Sequence, residues 1–144
     1  MGQQQLLLII LGVIVVGIAV VVGISMFQDN AISANRDALI NDLIYLGGRA
    51  QQQWIRPRAL GGCQGDWNVC AQFNSPNFAP LTIKSLTNTT DLAKWTNPNG
   101  FYVVTNVQPR VVTIVGEGTQ TFDNQLVKVT ATVTDTSITT FVNN

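Results

Sequence analysis

At 144 residues the chain has room for one modest domain plus an appendage. Formal charge is zero, with eight basic and eight acidic residues, so the electrostatic footprint of a protein that tracks phosphate backbones is missing and no nucleic-acid partner is indicated. The chain contains no histidine, which removes the commonest general base and metal ligand and makes Ser/His or Cys/His catalysis impossible.

The first element is apolar. Met1, Gly2, Gln3, Gln4 and Gln5 lead into an uncharged run from Leu6 to Phe27. As a helix these 22 residues rise about 33 Å, close to the hydrocarbon thickness of a bilayer. No basic residue precedes the run, its core is longer than that of a cleaved signal peptide, and no Ala-x-Ala pattern follows it. An anchor or a packing segment is the better reading. Leu6, Leu7, Ile10, Val16, Val20 and Phe27 supply apolar bulk, while Gly12, Gly17 and Gly23 let neighbouring backbones approach closely. Their spacing of five and six residues forms no GxxxG motif.

The helical pattern continues past Phe27, with no proline before Pro57. Ile32, Leu39, Leu43, Leu46, Ala50 and Trp54 recur mostly at steps of three, four and seven, one face of an amphipathic helix. Asp29 sits near the start of this half, and Arg49, Arg56 and Arg58 near its end, the order a helix dipole favours. Pro57 disfavours helical geometry at Arg56, so the helix is predicted to stop near residue 55, with Gly47-Gly48 as the place where it would bend. The two halves read as one rod of about fifty residues, about 75 Å long. No small domain buries such a rod by itself.

Residues 59 to 100 read as irregular, with a short strand at Leu81–Leu86 and a short helix at Thr89–Trp95. Cys63 and Cys70 lie in this stretch. In an exported chain they form a disulfide; in the cytoplasm they are two thiols. With Asp66 they fall short of the ligands of a structural zinc site.

From Phe101 the period changes to two. FYVVTNV, RVVTIVGE, QLVKVTATVTD and TSITTFVNN are strands, separated by Gln108-Pro109, by GEGTQTFDN and by Asp135-Thr136. Gly116 and Gly118 resemble the start of a phosphate loop, but no helix follows, and a hairpin turn is expected there. Val127, Val129, Ala131 and Val133 share one strand face and need a cover, which the stripe from Ile32 to Trp54 supplies. The fold class is α+β: a long N-terminal helix packed on a C-terminal antiparallel sheet. Residues 1–27 form the membrane or filament-core helix, 28–58 its amphipathic continuation, and 59–144 the loop region and sheet of the head. Carboxylates are too sparse for paired acid and base work, so no enzyme and no cofactor are expected.

This architecture resembles a type IV pilin or pilin-like subunit. The likeness covers the whole chain as architecture; at motif level it is confined to the N-terminus. Gly2 before an apolar run is similar to the family's leader-peptidase site, which makes Gln3 the mature, methylated first residue. Where the family carries a glutamate at the fifth mature position, this chain has Leu7 counted from Gln3, or Gln5 counted from Met1. The three glutamines offer hydrogen bonds to neighbouring helix ends in place of that charge, and read equally as polar residues at headgroup level. The resemblance implies a homopolymeric extracellular filament, an inner-membrane stage before assembly, pilus assembly machinery as partner, and a cell-surface role in adhesion. Two rivals are a permanently membrane-anchored exported module and a pseudopilin of a secretion or DNA-uptake apparatus.

Overall fold

The computed structural model describes residues 2–66 and 94–143. Among these residues one helix, α1 (Gly2–Ile55), is followed by a 3-10 turn at Arg58–Leu60 and by five strands. These are β1 (Trp95–Asn97), β2 (Gly100–Gln108), β3 (Val111–Phe122), β4 (Gln125–Thr134) and β5 (Ile138–Val142). All neighbours pair antiparallel in the order β1-β2-β3-β4-β5, an unbroken meander. The fold is α+β, as the change of hydrophobic period predicts.

Helix and sheet meet along the predicted stripe. Leu39, Leu43, Leu46 and Ala50 are fully buried against Val112, Ile114, Val127, Val129, Ala131 and Val133, with Ile32 and Trp54 packed at the margins. Strand β4 alternates along its length, burying every second residue from Val127 to Val133. That is the pattern of a sheet with one covered face.

The helix runs unbroken through Gly47-Gly48, where a bend is expected. Gly47 is small for a packing reason: a β-carbon there would stand 2.9 Å from Ile138 Cδ1. The helix end is firmly capped. The amides of Cys63, Gly65 and Gln64 fold back to the carbonyls of Gln53, Trp54 and Arg56 at 3.0, 2.9 and 3.1 Å. Gly61, at φ 81°, makes the reversal possible. Carbonyls that a helix C-terminus leaves open are thereby satisfied.

Three sequence expectations need correction. GEGTQTFDN is not a loop: β3 continues through Gly116 and Gly118 to Phe122, with an irregular pairing between Glu117 and Thr121. The reversal is confined to Asp123 and Asn124, both at positive φ, between the paired residues Phe122 and Gln125. Asp and Asn tolerate that conformation, and two such residues make the tight hairpin turn. The glycines serve close approach instead. A β-carbon at Gly118 would lie 2.0 Å from Asn35 Oδ1, and one at Gly116 2.9 Å from Tyr102 Cε1. Finally, Trp95 opens β1 and does not end a helix, because its side chain packs on Tyr102 with ring centroids 5.1 Å apart. The remainder of that expected helix, the strand at 81–86 and Cys70 lie outside the described residues.

Candidate functional site: an uncovered apolar helix and the lock that carries it

Among the described residues, nothing covers the first half of α1. Its large apolar side chains from Leu6 to Phe27 are all at least half exposed, Phe27 at 78%. Gly12, Gly17 and Gly23 have nothing within 4 Å of where a β-carbon would be, so the head does not require them. Ser25, the polar side chain in this run, donates to the Val22 carbonyl at 2.8 Å and so presents no unsatisfied donor outward. The segment is long and apolar enough to cross a membrane. Gly2, Gln3, Gln4 and Gln5 continue the helix at its far end, exposed; Met1 lies outside the described residues.

Where the rod enters the head, the β3–β4 hairpin tip faces it across an open cleft of about 580 Å³. Ile24, Phe27, Ala31 and Ile32 form one wall, Gln120, Thr121, Asp123 and Asn124 the other. Next to it Arg36 lies over the Phe122 ring, 5.3 Å from its centroid.

A polar cluster fixes the helix to the sheet edge. Asp42 Oδ2 accepts from Asn97 Nδ2 and Asn99 Nδ2 at 2.8 Å each and from the Tyr102 hydroxyl at 2.5 Å. Asn97 Oδ1 in turn accepts from the amides of Asn99 and Gly100, which holds the Asn97-Pro98-Asn99-Gly100 turn in shape. Asn35 Nδ2 donates to the Asn99 carbonyl at 2.9 Å. Burial by itself pushes the Asp42 carboxyl up, but hydrogen bonds from Asn99, Tyr102 and Asn97 outweigh it and hold the group below its usual range. Burial, and then the Asp42 carboxylate, push the Tyr102 hydroxyl well up. Near neutral pH the pair is therefore a carboxylate accepting from a phenol.

The structure brings the helix–sheet residues together as the sequence predicts. The disulfide expectation is met on the described side, where Cys63 is fully buried and disulfide-bonded. Sequence reasoning missed the Asp42 cluster, since a single aspartate on the flank of an amphipathic stripe resembles a solvated charge. The Asn-Pro-Asn-Gly turn was the available signal. No family model, curated protein or solved structure matches this chain.

Proposed function

We propose that this chain is a structural subunit of an extracellular, type IV pilus-like filament that polymerises through its apolar N-terminal helix. One observation carries the reading: a single unbroken helix is the spine of the head in its second half and is bare and apolar in its first. In water a surface of that kind is satisfied by lipid or by packing against other apolar helices, and copies of itself supply these. Moving the rod from lipid to a bundle of rods gains little hydrophobic energy, because lipid is as apolar as leucine, so helix packing decides the exchange. Subunits related by a rotation that does not close then form an open polymer, with the head outermost.

The span-length run also favours a second reading, a permanently membrane-anchored module. Electron microscopy of material sheared from the producing cells separates the two. Fibres that contain this chain support the filament; recovery as a monomer from detergent-extracted membranes, with no fibres, favours the anchor. A pseudopilin, making only short assemblies, is distinguished by low copy number.

A further inference from the structure

The helix carries two pairs of charges that the sheet does not cover. Asp29 and Asp37, eight residues apart, are both exposed, and so are Arg49 and Arg56, seven apart. Steps of seven and eight return to about the same side of an α-helix, so each pair marks one face. At 3.6 residues per turn the midlines of the two faces stand about 150° apart around the rod. The stripe of Leu39, Leu43, Leu46 and Ala50 lies on the longer arc between them. The sheet reaches round to the aspartate side only farther along the helix, where Gly47 meets Ile138 and Gln51 bonds the Thr134 carbonyl, and all four charged residues stay exposed. Asp29, Asp37 and Arg56 have no ion-pair partner among the described residues. Arg49 has an interaction within its own chain, and with Gln52, Gln53 and Arg56 it lines a polar pocket of about 190 Å³.

The spacings agree. Arg49 follows Asp29 by 20 residues and Arg56 follows Asp37 by 19, each about 29 Å of helix. A single axial shift therefore sets both carboxylates of one copy beside both guanidinium groups of another. The same shift lays residues 6–27 of the first copy alongside residues 26–47 of the second. There Phe27 and Tyr45, on the side of the rod that bears the arginines, are 78% and 55% exposed. Because the faces are nearly opposite, the contact is front to back and repeats without closing.

We propose that neighbouring copies of this chain pack in parallel with an axial stagger of about 29 Å, Asp29 and Asp37 of one copy meeting Arg49 and Arg56 of the next. The proposal rests on the filament reading and supplies its register. Opposed charges fix register and reject wrong alignments more than they add affinity, a role suited to an apolar rod that is otherwise free to slide.

The test uses the full chain, with filament measured as pelletable sheared material. Asp37→Arg and Arg56→Asp each reduce the yield about tenfold, because like charges then meet at every contact. The two together restore it to within about twofold. Independently, co-expressed Ser33→Cys and Gln52→Cys copies form a disulfide-linked dimer inside filaments, whereas Ser33→Cys with Tyr45→Cys does not. If the unaltered chain makes filaments but either the rescue or the cross-link fails, the stagger is wrong and the filament reading stands. If the unaltered chain makes no filaments, both fall.

Discussion

The Tyr102 hydroxyl reaches across from β2 to donate a 2.5 Å hydrogen bond to Asp42 Oδ2 on α1, an oxygen that already accepts from Asn97 and Asn99. One carboxylate oxygen thus ties the helix to the first two strands. Tyr102→Phe removes one of three donors and is expected to lower stability by about 1 kcal/mol. Asp42→Ala strands all three and is expected to cost about 2–3 kcal/mol. Chemical denaturation of the full chain in detergent measures both, and the double variant reports their coupling.

The same pair sets a pH dependence. The Asp42 carboxyl is held below its ordinary value of 3.8, so the folded state binds that proton less readily than the unfolded chain. Its contribution is complete above the ordinary value and is lost as pH falls through the lowered one. Tyr102 is raised from 10.0, so its contribution is complete below that value and is lost only as pH rises beyond it. Denaturation midpoints are expected to hold steady from about pH 5 to 9 and to fall on the acid side. In Asp42→Asn the acid-side fall becomes shallower.

Two glycines are expected to respond oppositely to alanine. At Gly118 the new methyl would sit 2.0 Å from Asn35 Oδ1, forcing that side chain off the Asn99 carbonyl, and the expected loss is about 1–3 kcal/mol. At Gly48, inside the helix with nothing within 4 Å, alanine is expected to stabilise by about 0.5–1 kcal/mol. A rise in melting temperature for Gly118→Ala would contradict the close approach.

The two halves of α1 are expected to separate functionally. Leu43→Ala, at a fully buried position, costs about 2–5 kcal/mol of head stability. Val16→Asp, at a position 62% exposed, leaves the head's stability unchanged because that residue meets no other part of the chain. A carboxylate there opposes membrane insertion by about 3 kcal/mol, so membrane association and filament yield both collapse. Circular dichroism reads the first effect, and fractionation the second.

Much of this fold is legible in the sequence, because burial is periodic. The step of three and four from Leu39 to Ala50 and the step of two from Val127 to Val133 name the two surfaces that meet. What escapes is whatever depends on a residue being small or polar for a distant partner. Gly116 and Gly118 look like turn residues because the usual reason for glycine is backbone freedom; here Asn35, Leu39 and Leu43 crowd the strand from the helix, and Tyr102 crowds it from the neighbouring strand. Trp95 follows a helix-like segment and becomes a strand residue through its contact with Tyr102. The bare apolar half is the most legible feature, since a run of that length needs no partner within its own chain to be recognised.

Strand β3 lies along the helix in reverse, Gly118 against Asn35 and Gly116 against Leu43, while Gln51 bonds the Thr134 carbonyl at 3.1 Å near the other end. Tension applied along the rod therefore loads this interface lengthwise, with its fasteners arranged in parallel. To tear the head from the spine, all of them must slip together, along with the buried stripe between. A lengthwise seam of this kind resists a steady pull far better than it resists peeling from one end, and here each end is fastened.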